Sequence, residues 1–113
     1  MLPIKRRIKK ELFPKIVKEG SFVHGDNFYL RLLDRQDGKD SLFAFVVSAK
    51  VKKTSVGRHL IKRQLSAVIE GVLPVIRVGF YCIVFVKKDV TTLPFGEIKK
   101  EVIKLLEKAE LLK

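Results

Sequence analysis

The sequence is short of several features, and each shortage excludes a class of protein. It contains one cysteine, Cys82, and no tryptophan. A single cysteine cannot close an internal disulfide, so a disulfide-stapled secreted domain is excluded and a reducing, cytoplasmic location is expected. The longest apolar stretch, Val78 to Val86, has nine residues. A membrane-spanning helix needs roughly 20, so no membrane partner is expected.

Acidic residues are also scarce. The chain has 12 of them against 24 lysines and arginines, which gives a net charge of +12. Solubility alone does not require so large an excess, and a polyanionic partner is therefore the first hypothesis. With 113 residues, of which 47% are hydrophobic, the chain suits one folded domain spanning residues 1–113 and not a disordered basic tail.

Hydrophobic spacing in the first half of the chain predicts a helix followed by three strands. A basic arm, expected to be loose, precedes a short helix from Glu11 to Lys18 that stops at Gly20. Alternating residues over 22–33 predict two strands around a turn at 25–27. The polar segment 34–40 then predicts a hairpin whose return strand covers 42–48.

The second half predicts helix, strand, helix. Thr54 or Ser55 can cap a helix that runs to about Glu70 and is ended by Gly71 and Pro74. The apolar run 79–86 is typical of a central strand buried on both faces, and apolar residues at helical spacing follow Pro94. The expected fold is an α+β, two-layer α-β sandwich in the order α-β-β-β-α-β-α.

Two strand faces look suited to binding. Tyr29 and Arg31 lie opposite the apolar row of the second strand, because successive side chains alternate between faces. On the third strand Ala44, Val46 and Ser48 form the smaller of its two rows. A face of small residues leaves room for a partner to lie against it.

The positive charge is concentrated in one segment. No acidic residue occurs between Asp40 and Glu70, whereas six basic residues fall there: Lys50, Lys52, Lys53, Arg58, Lys62 and Arg63. On a helix Arg58 and Lys62 lie one turn apart, and His59 pairs with Arg63 in the same way. Phosphate contacts explain this clustering of like charges, and the alternative is an ordinary solvated helix face.

Signs of protein-based catalysis are weak. Cys82 lies in a buried strand with no visible base, so we expect a raised thiol pKa and no nucleophilic role. Asp34, Asp37 and Asp40 lack the full calcium-loop pattern and suit a plain turn. We therefore expect no catalytic side chain, no metal site and no cofactor bound by the protein.

The segment Lys50 to Arg63, KVKKTSVGRHLIKR, resembles the bacterial ribonuclease P protein family. That family carries an Arg-Asn-Arg-x-Lys-Arg signature on the helix after the third strand, and Arg58, Lys62 and Arg63 fit it. The N-terminal LPIKRRIKKELFPKIVKEG is also similar to the family's basic arm and first helix. Departures from the family pattern occur at four positions: His59 replaces Asn, Leu60 replaces the second Arg, and Val17 and Arg31 stand where aromatic residues are frequent.

The resemblance implies a division of labour in which an RNA subunit, with Mg²⁺, removes the 5′ leader of precursor tRNA and the protein binds and positions. It also implies a left-handed crossover around the signature helix, partners that are the ribonuclease P RNA and precursor tRNA, and no DNA partner. Contacts with the RNA subunit would come from Lys50, Lys52, Lys53, Arg58, His59, Lys62 and Arg63. Contacts with the leader would come from Phe13, Tyr29, Arg31, Ala44, Val46 and Ser48.

Two other kinds of protein would have the same size and charge as this chain. A non-catalytic RNA-binding protein of the ribosome, or of ribosome assembly, would also need a basic surface. A protein-only nuclease would instead need its acidic residues to converge on a metal ion. Stimulation of a ribonuclease P RNA at low Mg²⁺ separates the first alternative from the ribonuclease P reading, and cleavage by the protein without RNA would support the second.

Overall fold

Helices and strands follow one another in the predicted order in a computed structural model that describes residues 2–113. Two short 3₁₀ turns, Ile4–Arg6 and Lys10–Leu12, precede the first helix. The elements are α1 (Phe13–Glu19), β1 (Ser21–His24), β2 (Phe28–Asp34), β3 (Leu42–Val46), α2 (Ser55–Val72), β4 (Phe80–Val86) and α3 (Phe95–Lys108). The predicted α+β class and element order are confirmed.

The four strands form one sheet in the order β1-β2-β4-β3. β4 is antiparallel to β2 and parallel to β3, with Ile83 between Arg31 and Ala44. The prediction that β4 is central is confirmed, but the hairpin between β2 and β3 is wrong. β4 is apolar on both faces, so it takes the position where both neighbours and both faces are covered, and β3 becomes an edge strand.

One face of the sheet packs against α2 and α3. Phe28 and Leu30 of β2 are fully buried there against Ile61 and Leu65 of α2. Val102 of α3 joins the same cluster. Burial of this apolar face is the main stabilising contribution to the fold, and it directs the polar side of α2 toward solvent.

The opposite face is only partly covered, by α1 and the basic arm. Ile16 of α1 and Ile8 of the arm are buried against Ile83 of β4. Ile8 also donates its backbone N–H to the Phe43 carbonyl at 3.0 Å. The arm is therefore fixed to the edge strand, and the expectation of a loose arm is wrong for these residues.

The ends of α2 and β3 refine the sequence prediction. Thr54 caps α2, since its Oγ1 accepts a hydrogen bond from the Gly57 N–H at 3.1 Å. Gly71 does not end the helix, which continues to Val72 before a 3₁₀ turn at Leu73–Val75. A solvent-exposed glycine costs helix stability without breaking the backbone hydrogen bonds, so the proline after it decides the end.

Glu101 of α3 fixes the turn between β1 and β2. Its carboxylate accepts hydrogen bonds from the Asn27 N–H at 2.8 Å, the Asn27 side-chain amide at 2.7 Å and the Phe28 N–H at 3.2 Å. Because His24 and Tyr29 flank this turn, Glu101 also helps to position the end of the sheet that carries the aromatic side chains described below.

Candidate nucleic-acid interface

A cluster of basic side chains lies on the outer side of α2 and the loop before it. We call Lys50, Lys53, His59, Lys62 and Arg63 the basic face. Lys62 is half-buried and the other four are exposed. In residues 2–113 none of the five forms an ion pair with a carboxylate. The charge of the three lysines and of Arg63 is therefore available to an external anion, as the acid-free segment predicted.

Arg58 has a different environment from the basic face. Its Nη1 donates to the Lys52 and Lys53 carbonyl oxygens, at 2.8 Å each, and its side chain is half-buried. Arg58 therefore ties the loop to the first turn of α2 and does not meet a carboxylate. Helical spacing predicted that Arg58 and Lys62 project together as potential phosphate donors. One guanidinium nitrogen of Arg58 is already engaged within the protein, and the phosphate contact of Arg58 stays a prediction.

Lys52 is also engaged within the protein. Its Nζ lies 3.1 Å from Asp89, in the loop between β4 and α3. Hydrogen bonds from Thr91, and then the contact with Lys52, lower the pKa of Asp89 to about 2. Lys52 therefore fixes the loop that carries Lys50 and Lys53, and its charge is partly neutralised.

Two apolar side chains interrupt the basic face. Leu60, which replaces the second arginine of the signature, is 43% exposed, and Val56 one turn earlier is 80% exposed. They line a shallow depression together with His59 and Arg63. Loss of the arginine thus leaves a mixed apolar and basic surface on the first turns of α2.

The basic arm meets α2 at the edge of β3. A pocket of about 310 Å³ lies there, and its lining includes Arg7, Lys10 and Lys62 around Ala44 and Phe45. Arg7 is held in place by a hydrogen bond from its Nε to the Leu2 carbonyl at 2.8 Å. Positive charge therefore continues from α2 around the sheet edge, a feature that helical spacing alone could not reveal.

A second surface lies on the sheet face opposite α2. Beyond the part that α1 covers, this open face carries Phe22 and His24 from β1, Tyr29 and Arg31 from β2, and Phe85 from β4. Phe85 is paired in register with Tyr29 on one side and Val46 on the other. Phe13 packs in the same cluster as Ala44 and Val46. The structure therefore brings together five of the predicted leader contacts, Phe13, Tyr29, Arg31, Ala44 and Val46.

Ser48 does not belong to that surface. It lies beyond the last residue of β3, in the turn that leads to α2, where its carbonyl accepts from the Val51 and Lys52 N–H groups at 3.1 Å each. The predicted row of Ala44, Val46 and Ser48 is therefore interrupted after Val46, because the strand ends two residues earlier than expected.

Three aromatic rings form a continuous stack on the open face. Tyr29 lies between Phe22 and Phe85, with ring centroids 4.8 Å and 4.7 Å away. Sequence reasoning singled out Tyr29 but missed the other two. Alternation on β1 could have identified Phe22, whereas Phe85 becomes a neighbour only through the register of β2 with β4.

Arg31 connects this stack to α1. Its Nη1 donates to the Val17 carbonyl at 3.0 Å, and its guanidinium carbon lies 4.5 Å from the centre of the Phe22 ring. Val17 belongs to the last turn of α1, whose carbonyl groups lack intrahelical partners. Arg31 therefore supplies one of those partners and holds α1 beside the open face.

Candidates for protein-based chemistry do not assemble. Burial raises the pKa of the Cys82 thiol to about 12, so the thiol is protonated at neutral pH. Asp34 and Asp37 accept hydrogen bonds from nearby backbone N–H groups, as in a polar turn. Over residues 2–113, no group of three His, Cys, Asp or Glu side chains is placed to share a metal ion.

The helices of the described chain give no indication of a membrane span. None of them combines the length and the apolar character that crossing a bilayer requires.

Comparisons with known proteins agree with the resemblance seen in the sequence. The family model described as "Ribonuclease P" matches residues 2–110. The "Ribonuclease P protein component" of Symbiobacterium thermophilum is 29% identical over 107 residues, which cover 94% of this chain and 92% of that protein. These similarities support the ribonuclease P expectation over the ribosomal alternative.

Solved structures show the same fold. The Staphylococcus aureus RNase P protein superposes with a TM-score of 0.86 at 21% identity, covering 96% of this chain and 98% of that one. The RNase P protein from Thermotoga maritima gives 0.81 at 21% identity, covering 90% and 96%. The element order and sheet found here are thus those of proteins with very different sequences.

Proposed function

Because the chain belongs to the ribonuclease P protein family, we propose that it is the protein subunit that binds the catalytic RNA and the 5′ leader of precursor tRNA in the cytoplasm. The observation that carries the proposal is a basic face that has no carboxylate partner within residues 2–113, on one side of the molecule, with an open aromatic sheet face on the other. Two separate surfaces suit a protein that holds two RNA segments at once.

The basic face would dock on the RNA subunit. Lysine, arginine and histidine side chains that form no ion pair within residues 2–113 can contact phosphate and 2′-hydroxyl groups, which are the main recognition elements of a folded RNA. Arg58 and Lys52 would contribute mainly by fixing the loop that presents Lys50 and Lys53. In this assignment side chains of α2 contact the RNA subunit, and Arg58 and Lys52 fix the conformation of the loop before it.

The open face would hold the single-stranded leader. It is bounded by α1 and carries Tyr29 and Arg31, so an extended RNA strand can lie across it with its phosphates near a cation. Such contacts tolerate many sequences, which suits a subunit that serves many precursors. Binding the leader would raise affinity for precursor over mature tRNA without any change in the chemical step.

The bond-breaking chemistry is assigned to the RNA subunit with Mg²⁺. In that arrangement no side chain of this protein needs to act as acid, base or nucleophile. The protein's positive charge would reduce repulsion between the RNA subunit and its substrate, so less Mg²⁺ would be needed for binding.

Reconstitution tests the proposal directly. We expect the purified protein to restore cleavage of precursor tRNA by a bacterial ribonuclease P RNA at Mg²⁺ concentrations where that RNA alone is slow. The double variant Lys62→Ala/Arg63→Ala should weaken binding to the RNA subunit. Lys99→Ala, which removes an exposed charge from α3, is the matched control. Cleavage by the protein without RNA, or no stimulation of the RNA, would contradict the assignment.

A further inference from the structure

The aromatic stack on the open face is closed between its rings, although Phe22 at its edge is 37% exposed. The Tyr29 and Phe85 rings are 4.7 Å apart and inclined by only 6°, and Phe22 stacks on Tyr29 at 4.8 Å with a 30° inclination. Since Phe22 and Phe85 come from strands on opposite sides of β2, both faces of the Tyr29 ring are covered. No gap remains into which a base could insert.

The Phe22 end of the stack is occupied as well. The Arg31 guanidinium lies over the Phe22 ring, and the His24 ring contacts Phe22 edge-on, with centroids 3.9 Å apart. At the other end Phe85 neighbours Val46 across the β4–β3 register. A base that stacked on the outer face of the Phe22 ring would have to displace the Arg31 guanidinium, which already makes a favourable contact there.

Polar groups, in contrast, remain available. The Tyr29 hydroxyl has no hydrogen-bond partner among the described residues, and Arg31 uses only Nη1 in its bond to Val17. A phenol can both donate and accept, and the other guanidinium nitrogens of Arg31 are donors only. The 2′-hydroxyl and phosphate groups of an RNA strand match this combination, because they offer a donor and several acceptors.

We propose that this surface recognises the sugar-phosphate backbone of the leader, through the Tyr29 hydroxyl and the Arg31 guanidinium, and does not read its bases by stacking. The inference rests on the proposed function, since it assumes that the leader lies on this face. Arg31 is then a specificity-determining residue, because it covers a ring that could otherwise stack on a base and places a positive charge there.

Altered leaders test the inference with the reconstituted holoenzyme. A precursor whose leader carries abasic sites should bind within about twofold of the unaltered precursor, since no base contact is lost. Neutral methylphosphonate linkages in the leader should weaken binding markedly. Loss of affinity with the abasic leader, or none with the neutral leader, would overturn the proposal.

Protein variants separate the hydroxyl from the ring. Tyr29→Phe keeps the stack and removes only the hydroxyl, so we expect it to lose about 3- to 10-fold in leader-dependent affinity, the usual effect of one hydrogen bond. Binding of mature tRNA should not change. If Tyr29→Phe binds the precursor as tightly as the unaltered protein while Tyr29→Ala does not, the ring and not its hydroxyl is the determinant, and the proposal fails.

Arg31 requires a measurement that a purely structural role would not affect. Arg31→Ala should reduce the slope of log affinity against log salt by about 0.7, the value for one phosphate contact with a single strand, and Arg31→Lys should restore it. An unchanged slope for Arg31→Ala would overturn the phosphate contact, even if affinity fell because α1 had moved.

The same measurements distinguish this inference from the proposed function. If the unaltered holoenzyme does not prefer leader-bearing precursor to mature tRNA, the leader assignment itself is wrong. If that preference exists but disappears with an abasic leader, the face binds the leader through its bases, and only the backbone recognition is wrong.

Discussion

Replacing Arg58 with alanine tests whether this residue of the signature helix acts mainly inside the protein. The change removes two hydrogen bonds from a charged donor to the Lys52 and Lys53 carbonyls. Bonds to charged groups contribute about 1.5–3 kcal/mol each, but the exposed Lys53 carbonyl regains a hydrogen bond to water, whereas the Lys52 carbonyl is part-buried. We therefore expect the free energy of unfolding to fall by about 1.5–3 kcal/mol in total, the value of one such bond.

Arg63→Ala is the matched control, because Arg63 is exposed on the same helix and makes no hydrogen bond or ion pair within the described protein. Its unfolding free energy should change by less than about 0.5 kcal/mol. Urea denaturation of the RNA-free protein measures both values, provided that the denaturant dependence is the same for the variants.

Binding to the RNA subunit completes the test. Arg63→Ala should reduce the slope of log affinity against log salt by about the amount expected for one phosphate contact. Arg58→Ala should lower the affinity with a smaller change in that slope. If Arg58→Ala leaves the unfolding free energy unchanged and reduces the salt dependence as Arg63→Ala does, then Arg58 is a direct phosphate contact and the structural reasoning is refuted.

Three further predictions concern groups outside the basic face. Glu101→Ala should lower the free energy of unfolding by about 2 kcal/mol because three hydrogen bonds to the β1–β2 turn are lost. Thermal unfolding of this variant, with Glu97→Ala as the control, measures the loss, and equal destabilisation by the two substitutions would contradict the prediction. The pKa of Asp89 lies below its ordinary value of 3.8, so the stability that Asp89 contributes is fully present above pH 3.8 and is lost as the pH falls through about 2. An NMR titration of the Asp89 carboxyl group with a midpoint near 3.8 would contradict this prediction. Cys82, with its pKa raised to about 12, should react with a thiol reagent at pH 8 only as fast as the protein unfolds, and prompt labelling of the native protein would refute its burial.

The sequence predicted the elements well because each has a local physical cause. Pro14 lies in the first turn of α1, Thr54 caps α2, and Pro94 precedes α3. The apolar run of β4 correctly indicated a central strand. Caps, prolines and apolar periodicity act over a few residues, so they can be read directly from the chain.

Strand pairing could not be predicted in the same way. The polar segment after β2 suggested a hairpin, but a connection of that length is compatible with a return to a distant edge of the sheet. The register that places Phe85 beside Tyr29, and Ile83 between Arg31 and Ala44, depends on β4, which follows about fifty residues after β2. Long-range pairing is decided by which strand can be covered on both faces.

The sequence predicted which residues lie in the candidate site better than it predicted what each side chain contacts. Helical spacing placed His59, Lys62 and Arg63 on the outer side of α2, and the structure shows His59 and Arg63 exposed and Lys62 half-buried. It could not distinguish Arg58, whose partners are backbone carbonyls of the preceding loop, or Arg31, whose partner is a carbonyl of α1. Contacts between a side chain and a distant backbone leave no periodic signal in a sequence.

The sheet order has a consequence for how the protein matures during synthesis. Among the described residues, β4 is the only strand of the sheet that pairs with β3, so a nascent chain that stops before residue 80 can form the β1–β2 hairpin but can hold β3 only through its contact with the arm at Arg7 and Ile8. Such late closure between distant segments slows folding. Helix α2, which is proposed to contact the RNA subunit, therefore reaches its final packing only after β4 has been synthesised. A chain truncated before β4 would not hold the basic face in its native position.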